Sequence, residues 1–419
     1  MSTLNRRALM SGLTAAGAAL TVPSLTLPAL ARTTQHWTPS WYAAPEPSGN
    51  KAQAQDLTLR QIVRLSAGGS AVRIRLSNAY GDTPLRIDEL RVARRLSGAR
   101  IDLQSDRAAT FDGQTAVTIS PGAYVLSDPI ALTVAALSDL AVSLYLKGPA
   151  PLTTLHEIQR SAIYISNGQQ TAAPELTTTK TDIGIGNAFP LLSGVEVATA
   201  KTQALVAFGD SITDGYGITP DQGRTWPDLL SQRLSAARIP LSVVNAGISG
   251  NRLLNHGTWA RFGTGALARF DRDVLAQPNV AAVVLLIGIN DLGHAGGPDS
   301  PGYAPLDDLK MGLSQIAARA QAHGIRTYAG TLTPFKGTTF KDYYSDEKET
   351  RRVALNAWLR RSDVFDGLFD FEKALEDPAR PGWLRPGLGM ADNLHPNDAG
   401  AAEMAQSIPL TSFGWARKA

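Results

Sequence analysis

Two short segments of this 419-residue chain hold side chains that could together perform nucleophilic chemistry. The first, residues 209–215 with the sequence GDSITDG, presents Ser211 between glycines directly after an apolar run. The second, residues 392–396 with the sequence DNLHP, places Asp392 three residues before His395. A serine hydroxyl, an imidazole that takes its proton and a carboxylate that orients the imidazole are the parts needed to attack an acyl carbon.

Each segment also has an ordinary structural interpretation. A serine after a strand commonly caps the next helix, and an Asp–His pair on a surface needs no chemical role. A phosphate loop of the flavodoxin type would also suit residues 209–215, although Asp210 and Asp214 would place two negative charges beside the phosphate. The segment lacks the Walker ending Gly-Lys-Ser/Thr and the G-x-G-x-x-G pattern. It also departs from the G-x-S-x-G elbow, because Thr213 stands where the second glycine belongs.

Two further loops could complete a site around the serine. Residues 245–252, with the sequence NAGISGNR, contain glycines whose backbone N–H groups could face a developing oxyanion, with simple turn chemistry as the alternative. Asn290 follows the most apolar run and could donate from its side-chain amide, or merely cap the next segment. Pro396 restricts His395 to an extended backbone, so we expect the imidazole to be presented from a turn.

The periodicity of the chain divides it into two regions. From about residue 35 to residue 195, short alternating runs such as 71–76 and 140–146 are separated by turn signals, which predicts an all-β sandwich of the jelly-roll type. From about residue 202 onward, helical patterns alternate with the apolar runs 205–208, 241–244, 281–287, 327–330 and 368–369. This alternation predicts βαβ units and a parallel sheet covered on both faces. Ligands bind beyond the carboxyl ends of such strands, where all four loops fall.

As a set, the four segments resemble the blocks of the SGNH or GDSL-type hydrolases, in that family's order. The resemblance covers the C-terminal half and implies a three-layer α/β/α fold with a flavodoxin-like parallel sheet. It implies hydrolysis of carboxylic esters, with Ser211 as the nucleophile, His395 as the base and Asp392 orienting the imidazole. It also implies an oxyanion hole formed by the backbone N–H groups of Ser211 and Gly247 and the side-chain amide of Asn290. The β-rich half resembles that of secreted two-domain members.

We therefore expect three parts: an export signal over residues 1–31, a β-sandwich accessory domain over residues 35–198 and a hydrolase domain over residues 202–416. Asn5-Arg6-Arg7 heads an apolar stretch that ends at Ala29-Leu30-Ala31, a pattern typical of a twin-arginine signal with its cleavage site. A membrane anchor at the N-terminus is the alternative. No later segment has the roughly 18 uninterrupted apolar residues of a membrane span. We expect an exported, periplasmic or extracellular protein without stable membrane insertion.

Composition argues against several other classes of protein. The 40 Lys and Arg residues nearly balance 37 Asp and Glu residues and are scattered, so nucleic acid is not an expected partner. The absence of cysteine excludes disulfides, thiolate metal sites and a cysteine nucleophile. The six histidines show no metal-ligand spacing, and we expect neither a catalytic metal nor another cofactor.

Polar side chains in the four loops are further candidates for substrate contacts: Asp210, Asn251, Arg252, His256 and His294. Because the loops are rich in Gly and Asn, we expect a small-molecule or carbohydrate ester with a short acyl group, for example acetyl, as the substrate. A lipase or arylesterase that acts on longer or aromatic esters is the alternative. A catalytically inert carbohydrate-binding protein and a flavodoxin-like FMN carrier are the rivals from other classes.

Overall fold

The structure is a computed structural model and describes residues 35–49, 52–158, 160–177, 183–186 and 188–417. The expected export signal over residues 1–31 lies outside the described residues and stays a prediction. Within the described ranges, no helix is both long enough and apolar enough to cross a membrane.

Among the described residues of the N-terminal region, the regular elements are β-strands and one 3-10 helix at Leu103–Ser105. In chain order the strands are β1 (Trp37–Tyr42), β2 (Glu46–Pro47), β3 (Gln53–Ala54), β4 (Leu57–Arg64), β5 (Val72–Ser77), β6 (Leu85–Ile87), β7 (Glu89–Ser97), β8 (Arg100–Ile101), β9 (Arg107–Ala108), β10 (Val117–Ile119), β11 (Tyr124–Leu126), β12 (Asp139–Leu146), β13 (Ala150–Pro151), β14 (Thr154–His156), β15 (Ile163–Asn167), β16 (Phe189–Pro190) and β17 (Leu192–Ala198).

Two antiparallel sheets of this region share one apolar core. The first sheet has the strand order β1-β17-β5-β11, and the second has the order β15-β4-β12-β7-β8, with β9 paired to β7. Aliphatic side chains from both sheets meet between them, among them Ile74 on β5 and Val142 on β12. Burial of these alternate side chains is what holds two such sheets face to face. The prediction of an all-β region is confirmed.

The sequence predicts that residues 71–76 alternate between buried aliphatic and exposed charged side chains, and only the buried face agrees with this prediction. The aliphatic side chains face the core as expected, but Arg75 on the opposite face is only 3% exposed. Its guanidinium carbon lies 3.7 Å from the centroid of the Tyr124 ring and 5.7 Å from that of Tyr42. Because aromatic rings cover Arg75, β5 is buried on both sides at this position, which a period-two pattern cannot reveal.

The C-terminal region alternates strands and helices. Its strands are β18 (Gln203–Gly209), β19 (Leu241–Gly247), β20 (Val280–Leu286), β21 (Arg326–Gly330) and β22 (Gly367–Phe369). Its helices are α1 (Ser211–Asp214), α2 (Trp226–Ala236), α3 (Ala266–Phe270), α4 (Ile289–Gly293), α5 (Leu306–Ala322), α6 (Asp346–Arg361), α7 (Phe371–Leu375) and α8 (Asp398–Ser407). The region also contains a π-helix at Asp271–Leu275 and 3-10 helices at Ala260–Phe262 and Leu410–Arg417.

All five apolar runs of this half form strands of one sheet, in the order β19-β18-β20-β21-β22, and every pair is parallel. Counted from the first strand of the region, this is the flavodoxin order 2-1-3-4-5. Helices α2, α7 and α8 form one packed layer, and α3, α4, α5 and α6 form another. The predicted three-layer α/β/α fold is confirmed. In folds of this order ligands bind where the strand order reverses, which here is at the carboxyl ends of β18, β19 and β20.

The two regions meet along β1 and β19. The Ser242 hydroxyl donates to the Pro39 carbonyl at 2.6 Å. The Tyr42 ring belongs to the apolar core of the α/β region, and its hydroxyl donates to Asp273 Oδ1 at 2.7 Å. Each region thus encloses its own core, while the described residues of both regions together form one compact unit.

Candidate active site

Ser211 is the first residue of α1, directly beyond the carboxyl end of β18. The preceding Asp210 is the N-cap, and its Oδ1 accepts a hydrogen bond from the Ile212 N–H at 3.1 Å. Because the Asp210 carboxyl group already caps this helix, the neighbouring serine hydroxyl is available to another partner. The ordinary interpretation of Ser211 as a helix cap therefore does not hold.

That partner is His395. The Ser211 Oγ lies 2.8 Å from the His395 Nε2, and the Nδ1 of the same ring lies 2.7 Å from Asp392 Oδ2. Burial raises the pKa of the Asp392 carboxyl, but hydrogen bonds from His395 and Leu394 outweigh burial and hold that pKa below its usual range. Asp392 is therefore an anion at neutral pH, as a carboxylate that orients an imidazole must be.

Backbone hydrogen bonds fix the turn that carries the imidazole. Asp392 Oδ1 accepts from the N–H groups of Leu394 at 2.9 Å and His395 at 3.0 Å. The His395 carbonyl accepts from the Met390 N–H at 2.8 Å. The Tyr216 ring packs on the imidazole with 4.4 Å between centroids. The ring is thus presented from a rigid turn, as Pro396 led us to expect.

A cavity of about 1010 Å³ opens beside Ser211 and His395. Aromatic side chains form much of its wall, and two of them expose large surfaces: Trp259 is 54% exposed and Phe340 is 42% exposed. The β-rich region contributes Glu157 to the same wall. The mouth is thus more aromatic than its glycine- and asparagine-rich sequence suggested.

Asn290 lies in α4, beyond the carboxyl end of β20, and its side chain reaches the cavity. Its Oδ1 accepts from the Tyr343 hydroxyl at 2.8 Å, and its Nδ2 donates to the Asn251 carbonyl at 3.0 Å. The Tyr343 ring can sit here because Gly293 has no side chain; a Cβ at Gly293 would lie 2.1 Å from the ring. An amide has two N–H donors, so one remains for a ligand in the cavity.

The glycine of the second loop that faces the cavity is not the expected one. The Gly247 N–H donates to Asn245 Oδ1 at 2.9 Å, which contradicts its implied role as an oxyanion donor. Gly250 lines the cavity together with Ser211, and no acceptor among the described residues takes its N–H. Gly250 has φ +77°, and a Cβ there would lie 2.1 Å from the Phe262 ring. Gly250 therefore replaces Gly247 as the candidate donor.

Of the five polar side chains expected to contact substrate, the structure places His294 in the cavity wall. Burial, together with the nearby cations Arg252 and Lys348, lowers the pKa of His294 to about 4. His294 is therefore neutral at physiological pH and can donate or accept a hydrogen bond there.

The other four side chains are engaged away from the described cavity wall. Asp210 caps α1, as stated above. Asn251 is fully buried and donates to two backbone carbonyls of the following loop, each at 2.8 Å. Arg252 donates to a threonine hydroxyl at 3.1 Å, and His256 Nδ1 accepts from a backbone N–H at 3.0 Å. These side chains shape the loops that surround the site.

Sequence patterns do not single out Arg269, although it ties together the strands beneath the site. This arginine on α3 is 1% exposed and donates to the carbonyls of Gly209 and Ala246, both at 2.8 Å. It also bonds Asn251 Oδ1 at 3.0 Å and Asp273 Oδ2 at 2.9 Å. The one available signal was a charged residue within the short apolar sequence ALARF.

A Ser–His–Asp chain of hydrogen bonds at the carboxyl edge of a sheet with flavodoxin order is the arrangement expected of an SGNH or GDSL-type domain. Comparison with family models agrees, because residues 207–403 match the GDSL-like Lipase/Acylhydrolase family. The chain therefore contains a GDSL-like lipase/acylhydrolase domain, as its motifs predicted.

Individual relatives match only parts of the chain. Esterase TesA of Pseudomonas aeruginosa is 34% identical over 127 residues, which are 30% of this chain and 53% of TesA. The chain thus spans about half the length of this curated relative. Among solved structures, the acetylxylan esterase Axe2 from Geobacillus stearothermophilus is 21% identical with a TM-score of 0.39, and covers 52% of this chain and 96% of its own. The esterase EstA from a Pseudoalteromonas species is 21% identical with a TM-score of 0.36, and the match covers 49% and 93%.

Proposed function

We propose that the protein hydrolyses carboxylic esters with Ser211 as the nucleophile. The Ser211 Oγ attacks the acyl carbon while His395 Nε2 takes its proton, and Asp392 stabilises the imidazolium that forms. His395 then gives the proton to the departing alcohol. Water, activated by the same imidazole, cleaves the acyl-enzyme and releases the acid. The observation that carries this proposal is the chain of two hydrogen bonds of 2.8 and 2.7 Å that joins the three side chains.

The tetrahedral intermediate carries a negative charge that needs hydrogen-bond donors. We assign this task to the backbone N–H groups of Ser211 and Gly250 and to the side-chain amide of Asn290. These three residues line one cavity, and no acceptor among the described residues takes either backbone N–H. A preorganised donor of this kind typically lowers the barrier by about 3 kcal/mol.

Replacement of the nucleophile tests the proposal. We expect S211A to hydrolyse p-nitrophenyl acetate at least about 10⁴-fold more slowly, with an unchanged melting temperature. S314A, which removes a hydroxyl from the outer helix α5, is the matched control and should retain full activity. Substantial hydrolysis by S211A would refute the assignment. An organophosphonate probe should label the wild-type protein at Ser211, and absence of labelling would favour an inert carbohydrate-binding protein.

For the substrate, we propose a short acyl group, such as acetyl, on a ring-bearing alcohol such as a sugar. The broad ring faces of Trp259 and Phe340 can stack on a flat leaving group at the mouth of the cavity. Glu157 and Arg261 lie on the same wall, with 3.6 Å between Glu157 Oε1 and Arg261 Nη1. Both side chains can form hydrogen bonds with the hydroxyl groups of a sugar.

The aromatic wall also favours a second candidate, an arylesterase or lipase that acts on aromatic or longer esters. Two comparisons separate the candidates. Hydrolysis of p-nitrophenyl esters with acyl chains from two to sixteen carbons measures the acyl preference, and we expect the shortest chain to react fastest. Acetate release from acetylated xylo-oligosaccharides, compared with phenyl acetate at equal concentration, then measures the alcohol preference. A preference for long chains or for phenyl acetate would favour the second candidate.

We also propose that residues 1–31 direct export, on the basis of the paired arginines and the apolar stretch that follows them. Fractionation of bacterial cells that produce the full chain tests this proposal. Joint replacement of Arg6 and Arg7 by lysine should retain the protein inside the cell. Export that is unaffected by this change would argue against the twin-arginine route.

A further inference from the structure

One side chain of the β-rich region reaches the helix that carries Ser211. His156, the last residue of β14, is 5% exposed, and its Nε2 lies 3.0 Å from Asp214 Oδ1. Asp214 is the last residue of α1, and Ser211 is the first. A histidine from the N-terminal region is thus bonded to the short helix on which the candidate nucleophile stands.

Asp214 extends this contact to a second part of the site. Its other oxygen, Oδ2, accepts from the Ser249 N–H at 3.0 Å and from the Ser249 hydroxyl at 2.6 Å. Ser249 and Gly250 are adjacent and both line the cavity. One buried carboxylate therefore connects His156 to the loop that presents the Gly250 N–H.

The surroundings of His156 favour its charged form. On the side away from Asp214, its Nδ1 lies 2.9 Å from Glu46 Oε1 and 3.0 Å from the Ala44 carbonyl. Burial lowers the pKa of the His156 imidazole, but the charges of Asp214 and Glu46 outweigh burial and raise it well above 6.5. Burial raises the pKa of Glu46 to about 7. The imidazolium can donate from both ring nitrogens, one toward each carboxyl group.

We propose that His156 is a positioning residue of the hydrolytic site: it anchors Asp214, which holds the Ser249–Gly250 loop so that the Gly250 N–H faces the oxyanion. This inference rests on the ester hydrolysis proposed above. The β-rich region thereby completes the active site that the α/β region carries, in addition to packing against it.

If the His156–Asp214 pair served only to hold the two regions together, Asp214 would not need to bond the Ser249–Gly250 loop as well. Buried ion pairs add little stability compared with apolar side chains of similar size, because both charges lose their hydration. A second ion pair between the two regions provides the contrast: Arg95 Nη2 lies 2.7 Å from Asp221 Oδ2. The Arg95 Nη1 also donates to Asp221 Oδ1 at 3.0 Å, and the remaining hydrogen bonds of the guanidinium go to Asp139 and the Gly98 carbonyl, both in the β-rich region. R95Q is therefore a matched control that weakens the contact between regions without touching the site.

The test compares kcat and KM for p-nitrophenyl acetate, together with melting temperature, in three variants. In H156A we expect kcat to fall about 10- to 100-fold with KM within about twofold of wild type, because a misplaced oxyanion donor weakens transition-state binding. H156Q retains a nitrogen donor near the position of Nε2, so its kcat should stay within about fivefold of wild type. R95Q should keep kcat within about twofold.

A folded H156A with kcat within about twofold of wild type would overturn the inference. Equal loss of kcat in R95Q and H156A would overturn it as well, since the effect would then be general loosening. If H156A does not fold, H156N and H156Q are compared instead. The shorter asparagine amide cannot reach Asp214, so kcat should be lower in H156N than in H156Q. Equal kcat values in these two variants would overturn the inference. Active S211A would instead defeat the proposed function itself.

Discussion

Arg60 in the β-rich region and Arg269 in the α/β region are both buried, but they hold different kinds of structure. Arg60, on β4, donates to the Ser143 hydroxyl at 2.9 Å and to three loop carbonyls, at 2.6, 2.9 and 3.0 Å. All these acceptors are neutral, and burial lowers the pKa of the Arg60 guanidinium to about 10. Arg269 instead joins the ends of β18 and β19 and is paired with the Asp273 carboxylate.

The difference shows what buried polar groups do in each region. In the β-rich region, a buried cation gathers loops against a sheet, so its loss should affect stability. In the α/β region, a buried cation fixes the strand ends from which Ser211 and the Ser249–Gly250 loop project, so its loss should also affect turnover. His156 is the exception that we propose in the β-rich region. Four predictions test this division.

Of these four, the largest effect is expected from Asn290, whose amide we place at the oxyanion. N290A should lower kcat for p-nitrophenyl acetate by about 100- to 1000-fold, because a donor that acts mainly on the transition state is lost. KM should change little. Steady-state kinetics measures both constants, and a rise in KM at unchanged kcat would instead place Asn290 in ground-state binding.

A matched pair of substitutions tests the comparison between the buried arginines directly. Lysine retains the charge but cannot span several acceptors at once. R60K and R269K should each lower the free energy of unfolding, by about 1–3 kcal/mol in urea denaturation. Only R269K should also lower kcat, by about tenfold, because Gly209 and Ala246 lose their common anchor. Equal kcat values in the two variants would remove the distinction between the regions.

Tyr343 should have a smaller effect than Asn290, since it acts through that amide. Y343F removes the hydroxyl that bonds Asn290 Oδ1 and leaves the amide less firmly oriented. We expect kcat to fall by about three- to tenfold with KM unchanged. In the N290A background the same substitution should have no further effect on kcat. An additive loss in the double variant would show that Tyr343 acts by another route.

The smallest effect concerns Asp210 and appears only as pH dependence of stability. Burial raises the pKa of this carboxyl to about 7, and among the described residues its Oδ2 has no hydrogen-bond partner. The folded state therefore keeps a proton that the unfolded state, with a pKa of about 3.9, releases. The free energy of unfolding should fall as pH rises from about 4 to about 7, by up to about 1.4 kcal/mol per pH unit from this group. D210N, which can still cap α1, should show a shallower decline in urea denaturation; an equal slope would contradict the assignment.

The parts of the molecule that could be predicted from sequence are those that depend on local patterns. Parallel strands covered on both faces have continuous apolar sequences, so all five strands of the α/β region could be recognised. Ser211, Asp392 and His395 stand in short segments whose turn chemistry already determines how they are presented. The structure then brings them within hydrogen-bonding distance of one another.

What could not be predicted depends on packing between segments far apart in the chain. Gly247 ends β19 and Gly250 lies in the loop that follows, and only the Asn245 side chain and the Phe262 ring decide which N–H faces the cavity. Tyr343 comes from the loop between β21 and α6, which has no periodic pattern. His156 contacts Asp214, 58 residues away. No local signal links these partners.

The packing of β1 beside β19 has a further consequence, for the behaviour of the protein in concentrated solution. Among the described residues, β18 is the only strand that pairs with β19, so β19 is an edge strand of the parallel sheet. An uncovered edge is a template on which another chain can add a strand, and β1 lies against this one. A fragment that begins at residue 202 would present that edge to its neighbours. We therefore expect such a fragment to aggregate where the longer chain stays dispersed, as light scattering would show.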